Sequence, residues 1–341
     1  MLSKLKPYSF TLIFLVLGLS FWLYWPKELV YKGQVFGTWY FFKLYVPKWQ
    51  SSKKIETYTK AHLEYIDRVF STYRSDSELS RFNQAGVGQL VKVSPELDFM
   101  LDYSKKLHLD SKKAWDPSVW PLIKLWGFDG DYPKKPTKPE VVKILREVGF
   151  SKLIEKHKGS LYKKKSKVSL DFSSVAKGYA IDSLIDLLTP FGLSHYFIDI
   201  GGEVRVSKKK PDGGVWRVGI QDPRTLSQKP FLRVFLSDKA LATSGDYQDY
   251  FIDETGQKFT HIINPVTGYP VKSKIASVSV IAPKGYQADG LATALFVMGT
   301  KQGLNLTDQS DEVEAIILEY APNNTFKRFE SRGFSNYTKE P

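Results

Sequence analysis

Segments typical of strands and of helices follow one another irregularly in this chain, and their order constrains the fold more than any other feature. Apolar residues recur at helical spacing over 53–72, 96–109, 140–148 and 173–188. Stretches rich in β-branched and aromatic residues, which favour strands, lie at 33–46, 196–200, 216–220, 232–236 and 277–282. There is no regular strand–helix–strand alternation and no glycine-rich dinucleotide fingerprint. We therefore predict an α+β fold with mixed sheets and packed helices rather than a doubly wound sheet.

The N-terminus is predicted to be a membrane anchor. An uncharged apolar run extends from Tyr8 to Trp25, with lysines before it and aromatic residues clustered at its far end. Its length of about 18 residues is short for a membrane-spanning helix and long for the core of a signal peptide. Because no small-residue cleavage pattern follows, we favour an uncleaved signal-anchor helix over a cleaved signal peptide. Residues 1–30 would form one transmembrane segment, and residues 31–335 would form a domain on the periplasmic side of the cytoplasmic membrane.

Charge and cysteine content exclude several kinds of protein. The chain has no cysteine, which rules out disulfides, thiolate metal sites and cysteine nucleophiles. Its formal net charge is +13, but the lysines fall in short runs beside proline, glycine and serine, and no nucleic-acid-binding motif accompanies them. We therefore predict no nucleic-acid partner. A basic surface suits an anionic bilayer or phosphorylated ligands equally well.

The segment Ala288–Phe296 is predicted to be a helix that presents two oxygen ligands. Asp289 and Thr293 are four residues apart, so that at helical pitch their side chains share one face. Hard oxygen ligands in this arrangement suit Mg²⁺, which proteins usually hold with few side chains plus substrate phosphates. The alternative is that Asp289 caps a helix and Thr293 is a core hydroxyl.

The segment Leu170–Tyr179 reads as a strand-to-helix junction. Asp171 occupies the expected N-cap position, and Lys177 lies about two helical turns further on. A helix N-terminus next to a lysine suits a phosphate or diphosphate, and the alternative is an ordinary capped helix with a solvated lysine. Downstream, Gly201-Gly202-Glu203 follows a predicted strand, either as a simple turn or as a close approach to a ligand.

A histidine and several aromatic residues complete the candidates. His261 is one of only five histidines, and it is either a structural hydrogen-bonding residue or a general base. The aromatic residues of Trp115-Asp116-Pro117 and Leu125-Trp126-Gly127-Phe128 would line a flavin or adenine pocket, or would belong to the core.

Taken in order, these segments resemble the ApbE family of flavin transferases. The resemblance extends over about Gly33 to Gly299 and rests on many short motifs. In the N-terminal half they are Gly37-Thr38, Ser71-Thr72-Tyr73-Arg74, Ser77 to Asn83, Asp116-Pro117 and Leu125 to Phe128. In the C-terminal half they are Asp171 to Tyr179, Gly201-Gly202-Glu203, Ala242 to Tyr247, His261 to Pro270 and Ala288 to Phe296. The resemblance implies an ApbE-like flavin transferase domain.

It also implies an activity, that of a Mg²⁺-dependent FAD:protein FMN transferase. Such an enzyme attaches FMN from FAD through a phosphoester bond to a threonine or serine of an acceptor flavoprotein and releases AMP. Acceptors in the family include subunits of Na⁺-translocating NADH:quinone reductase and related electron-transport complexes. Two alternatives remain: a Mg²⁺-dependent FAD diphosphatase that yields FMN and AMP, and a membrane-tethered flavin-binding protein without turnover.

The resemblance assigns roles residue by residue. His261 and Asp289 would be catalytic, and Mg²⁺ would be held by the side chains of Asp289 and Thr293 and the backbone carbonyl of Ser174. FAD would contact Phe36, Tyr73, Ala114, Trp115, Asp116, Asp171, Lys177 and Ile263. The chain departs from the family pattern at Phe36, usually methionine, at Asn264, usually aspartate, and at Gly290, more usually alanine.

Overall fold

The computed structural model describes residues 25–130, 133–157, 159–165, 167–224, 230–247 and 249–340. The predicted transmembrane segment lies outside these residues except at its C-terminal end. Within the described ranges, no helix has the length and apolar character needed to cross a bilayer. Residues 26–30, which we assigned to the anchor, instead form the start of the first strand, β1 (Pro26–Val35).

An eight-stranded sheet forms the centre of the molecule, in the order β1-β2-β6-β7-β10-β13-β14-β15. We expected mixed sheets, but within the described residues every pair of these strands is antiparallel. The strands after β1 are β2 (Thr38–Pro47), β3 (Val91–Lys92), β4 (Ile154–His157), β5 (Ser160–Lys163), β6 (His195–Ile200), β7 (Glu203–Val206), β8 (Trp216–Gln221), β9 (Pro230–Leu236), β10 (Ala240–Gly245), β11 (Tyr250–Ile252), β12 (Lys258–Thr260), β13 (Ile275–Ala282), β14 (Glu314–Ala321) and β15 (Thr325–Glu330).

The helices are α1 (Ser52–Phe70), α2 (Glu78–Gln84), α3 (Pro95–Asp110), α4 (Trp120–Leu125), α5 (Lys138–Leu145), α6 (Phe150–Leu153), α7 (Ser173–Leu188), α8 (Gly285–Met298) and α9 (Thr300–Thr307). Five of them, α1, α3, α5, α7 and α8, agree with the predicted ones to within a few residues, and α2, α4, α6 and α9 were not predicted. Ser51, Ser94 and Thr137 cap α1, α3 and α5 by accepting hydrogen bonds from the first-turn backbone.

The strand predicted over 33–46 is a hairpin. β1 and β2 are joined by a turn at Phe36 and Gly37, whose φ angles are 53° and 71°. A left-handed φ is uncommon for a bulky aromatic residue, so Phe36 carried no turn signal in the sequence. The prediction of one continuous strand was therefore wrong.

Both faces of the sheet are covered. On one face α8 packs against β10, β13 and β14, and α7 packs beside it within the larger core cluster. On the other face the β8–β9 hairpin packs against alternate residues of the same strands. Every residue of β13 is consequently buried. The α+β class is confirmed, and the two helices that carry the predicted ligands lie side by side on the sheet.

Candidate functional site

A cavity of about 570 Å³ opens where α7 and α8 meet the aromatic segments around α4 and the loop after β12. Nearly all of the predicted site residues line it: Tyr73, Ala114, Trp115, Asp116, Asp171, Ser174, Lys177, His261, Ile263, Asp289 and Thr293. Phe36 does not. It lies in the β1–β2 turn and packs, partly buried, against the main core, and its contact with the flavin stays a prediction.

The two helices cross in direct backbone contact. A Cβ atom on Gly178 would lie 2.2 Å from the carbonyl oxygen of Gly285, and one on Gly285 would lie 2.4 Å from that of Gly178. Only glycine permits such an approach. As a result Asp289, one turn into α8, reaches the backbone of α7, where its Oδ2 accepts a hydrogen bond from the Gly178 N–H at 3.1 Å.

Asp289 does not cap its helix. α8 begins at Gly285, and its N-cap residue Lys284 makes no side-chain cap. Asp182 of α7 supplies this function instead, because its Oδ2 accepts a hydrogen bond from the Tyr286 N–H at 3.2 Å. The capping alternative for Asp289 is thus excluded, and its carboxylate is left to face the cavity. Thr293 also lines the cavity, and its hydroxyl is hydrogen-bonded to that of Ser244 at 2.9 Å.

Lys177 lies between two buried carboxylates. Its Nζ is 3.6 Å from Glu203 Oε1 and 4.0 Å from Asp289 Oδ1, and its side chain is only 24 % exposed, which excludes a solvated lysine. Burial lowers the pKa of Lys177, but the two carboxylates outweigh burial and raise it overall, so the ammonium stays charged. Burial raises the pKa of Asp289 and of Glu203, and Lys177 opposes this effect.

The charge balance and the donor set of this cluster fit a divalent cation. Two carboxylates share one ammonium, and Glu203 Oε2 is buried without a hydrogen-bond partner. A regular α-helix directs the Gly178 N–H at the Ser174 carbonyl, so this carbonyl shares its donor with Asp289. Within the described residues, no group of three or more acidic or histidine side chains could hold a metal. A site of one carboxylate, a hydroxyl and a carbonyl is what Mg²⁺ uses when substrate phosphates complete its shell.

Glu203 was missing from our list of candidate site residues. It lines the cavity, and the signal that could have found it was the Gly201-Gly202-Glu203 segment at the end of a strand. The sequence left open whether that segment is a simple turn or a close approach to a ligand. Gly201 and Gly202 do have left-handed φ angles of 65° and 102°, and they turn the chain from β6 into β7 so that Glu203 points at Lys177.

The start of α7 differs from the predicted cap by one residue. The N-cap position is held by Phe172, which makes no side-chain cap. Asp171 precedes it, and its carboxylate accepts hydrogen bonds from the backbone N–H and the hydroxyl of Ser173, at 3.3 and 2.6 Å. Burial raises the pKa of Asp171. Next to it, the indole N–H of Trp115 donates to Ser174 Oγ at 2.9 Å and fixes the cavity wall.

His261 lies across the cavity with its tautomer fixed. Its Nδ1 is 3.0 Å from the carbonyl oxygen of Asp249. Because a carbonyl only accepts, Nδ1 carries the proton and Nε2 keeps its lone pair when the ring is neutral. Burial lowers the pKa of His261, so the ring is neutral at pH 7 and its Nε2 can accept a proton.

The aromatic candidates divide between the cavity and the core. Trp115, Trp120 and Phe128 line the cavity, and Tyr73, a residue that is 72 % exposed, packs its ring edge-on against Trp120. Trp126 is a core residue that is 1 % exposed. Asp116 lines the cavity too, but its carboxylate also accepts hydrogen bonds from Ser118 and Phe150 and so holds the loop before α4.

The arrangement matches a known family. The model of the ApbE family matches residues 36–317, most of the described chain. The chain belongs to the ApbE family. The FAD:protein FMN transferase of Haemophilus influenzae is 34 % identical over 296 residues, covering 85 % of each chain. The protein of the same name from Vibrio cholerae is 33 % identical over 320 residues, covering 92 % of this chain and 93 % of its own.

Solved structures of ApbE proteins share the fold. The flavin transferase ApbE from Vibrio cholerae superposes with a TM-score of 0.82 at 31 % identity, covering 92 % of this chain and 99 % of that one. The apo form of the Pseudomonas stutzeri flavinyl transferase ApbE superposes with a TM-score of 0.83 at 29 % identity, covering 93 % and 98 %. This ApbE chain is therefore an enzyme of a family whose matched members are transferases.

Proposed function

We propose that this ApbE protein transfers FMN from FAD to a threonine or serine hydroxyl of an acceptor protein, in a Mg²⁺-dependent reaction that releases AMP. One observation carries the proposal: a single cavity joins the Asp289–Thr293 pair, the Lys177 ammonium at the start of α7 and a neutral His261. A diphosphate placed there would meet a positive charge, oxygen ligands for a cation and a base within one enclosed space.

The ligands would be held as follows. The side chains of Asp289 and Thr293 and the carbonyl of Ser174 would hold Mg²⁺, which when bound would neutralise charge on diphosphate oxygens. Lys177 would add a fixed positive charge beside them. The flavin and adenine parts of FAD would lie along the remaining lining residues, Tyr73, Ala114, Trp115, Asp116, Asp171 and Ile263.

The chemical step follows from the tautomer of His261. Its Nε2 accepts the proton of the acceptor hydroxyl as the hydroxyl oxygen bonds to the phosphorus atom of the FMN half. The bond from this phosphorus to the bridging oxygen of the diphosphate breaks, and AMP leaves with the bonding electrons. The Lys177 ammonium lies across the cavity from His261, on α7, where it would stabilise negative charge on the phosphate oxygens.

We further propose that the enzyme works at the outer face of the cytoplasmic membrane. The apolar run from Tyr8 to Trp25 would anchor it there as a single-pass protein, with the catalytic domain in the periplasm. Its acceptors would be proteins of that compartment, such as subunits of Na⁺-translocating NADH:quinone reductase or related complexes.

Intact mass spectrometry tests the reaction. The full chain in detergent is incubated with FAD, Mg²⁺ and a protein that carries an acceptor threonine, and the matched control is the same protein with that threonine replaced by alanine. We expect the threonine protein alone to gain the mass of one FMN, and chelation of the metal to abolish the gain. Free FMN and AMP without a mass gain would identify a diphosphatase, and FAD binding without AMP release would identify a flavin-binding protein.

A further inference from the structure

The end of the molecule where the described chain begins exposes indole rings beside lysines. Trp25 and Trp49 are each 53 % exposed, well above the level of a core residue. They lie together because Pro26 at the start of β1 pairs with Pro47 at the end of β2. Trp25, just before β1, and Trp49, just after β2, therefore lie at the same end of the domain.

Lysines extend this surface toward the start of α1. Lys27 donates to the Gln50 carbonyl at 2.5 Å, and Lys54 lies over the rings of Tyr58 and Phe191 at 5.5 and 5.6 Å. We call this region the Trp25–Trp49 surface; it consists of Trp25, Lys27, Lys48, Trp49, Lys53 and Lys54. Of the neighbouring acidic side chains, Glu28 accepts a hydrogen bond from Tyr45 and keeps its charge, and Glu56 is paired with Lys60. The lysines outnumber these carboxylates, so the net charge of the Trp25–Trp49 surface is positive.

We propose that the Trp25–Trp49 surface rests on the anionic lipid headgroups of the membrane. Indole rings favour the bilayer interface, and lysines near an anionic leaflet are attracted to it. The uncharged apolar run that begins at Tyr8 ends at Trp25, within this surface. The inference rests on the proposed membrane location and goes beyond it, because an anchored domain can also stand away from the bilayer on its tether.

Docking through the Trp25–Trp49 surface would limit the distance between the cavity and the lipid headgroups. α7 runs from the cavity, which its first turn lines, to Leu188, and the following turn through Phe191 reaches the Trp25–Trp49 surface. Its 16 residues span about 24 Å at the rise of an α-helix. The cavity end of α7 would thus lie up to about 24 Å from the other end of the helix, which is next to the headgroups, and an acceptor hydroxyl would reach the full height where α7 stands perpendicular to the membrane.

Site-specific fluorescence tests the docking, and the absence of native cysteine makes single labels possible. Ser52→Cys places a label at the Trp25–Trp49 surface, and Val266→Cys places one on an exposed loop beside the cavity. The labelled full-length chains are reconstituted in vesicles of phosphatidylcholine and phosphatidylglycerol whose acyl chains carry bromine as a quencher. We expect quenching at position 52 that increases with the phosphatidylglycerol fraction, and no quenching at position 266.

A charge reversal with a matched control separates electrostatic docking from mere proximity. Lys53→Glu combined with Lys54→Glu should lower the ratio of docked to undocked chain about fivefold for each lysine lost. Lys301→Glu combined with Lys327→Glu makes the same change of charge on α9 and on the far edge strand β15, and it should leave the quenching unchanged.

The outcomes distinguish the separate claims. A chain that does not sediment with the vesicles overturns both the membrane location and the docking. A chain that sediments but shows equal quenching at positions 52 and 266, or none at either, overturns the docking alone. FMN transfer to a soluble acceptor is measured on the same samples, so that failure of the proposed reaction is read independently of both.

Discussion

The two walls of the cavity are built differently. One wall consists of α7 and α8, which touch through glycine backbones and carry the half-buried Lys177 and the buried Asp289. The other wall consists of short loops and the three-residue strands β11 and β12, and it carries His261 next to exposed rings such as Tyr250. Under the proposed function, the groups that would bind the charged diphosphate are fixed on rigid helices, whereas those that would meet the acceptor protein lie on loops.

Neutralising the Asp289 carboxylate, on the wall formed by α7 and α8, should lower the rate of FMN transfer. Asp289→Asn keeps the shape of the side chain and its acceptor for Gly178 but removes the negative charge. We expect FMN transfer to fall about a thousandfold, with FAD binding retained, because the proposed cation site loses the one carboxylate among its three proposed ligands. Initial rates measured over a Mg²⁺ titration check this result, and unchanged rates would show that the metal is held elsewhere.

Pushing α7 and α8 apart should lower the stability of the protein. Gly178→Ala would place a methyl group 2.2 Å from the Gly285 carbonyl oxygen, and backbone cannot move aside as a side chain does. We expect a loss of about 3 kcal/mol in the free energy of unfolding, measured by urea denaturation. Gly303→Ala is the matched control, since a Cβ atom on Gly303 would lie 3.3 Å from its nearest neighbour, Leu295 Cβ. Equal stability of the two variants would contradict close packing of α7 on α8.

The loop wall should show its role in the pH dependence of the rate. His261→Gln should lower transfer about a hundredfold or more, since it removes the base but leaves the helical wall intact. In the unchanged enzyme, burial lowers the pKa of His261, so the base stays neutral down to below the usual histidine range and the rate declines only as the pH falls through this lowered pKa. The rate of the His261→Gln variant should not show this decline at low pH. If the decline persisted in the variant, the base would be a group other than His261.

The smallest expected effect concerns a departure from the usual family pattern. A Cβ atom on Gly290 would lie 2.8 Å from Leu107 Cδ2 and 2.8 Å from Val175 Cγ1. Both are side-chain ends that can shift, so Gly290→Ala should cost only about 1 kcal/mol in the free energy of unfolding. A thermal shift compared with that of Gly178→Ala would rank the two glycines, and a larger loss at Gly290 would reverse our account of the crossing.

Local patterns predicted the helical wall well. The bounds of α7 agree with the predicted helix at both ends, and the four-residue spacing of Asp289 and Thr293 placed both on the cavity face of α8. Helical periodicity depends only on neighbours in sequence, which explains this success.

Contacts between distant segments could not be predicted in the same way. Asp182 caps α8 although it lies 104 residues before Tyr286 in the sequence. No local pattern could therefore show that α8 is capped without a side chain from its own N-cap residue, Lys284. The pairing of Glu203 with Lys177 likewise exists only once β7 lies beside α7. The position of Phe36 could not be predicted either, because the β1–β2 turn in which it packs against the core carries no turn signal in the sequence.

The contact between Gly178 and Asp289 also makes one amide proton a reporter of the whole site. The Gly178 N–H faces a carboxylate of another helix in a crossing with no room for water between the backbones. Its exchange with deuterated solvent therefore requires α7 and α8 to separate, whereas amides of the β11–β12 hairpin exchange by local fraying. The exchange rate of the Gly178 amide would therefore measure how often α7 and α8 separate beside Lys177 and Asp289.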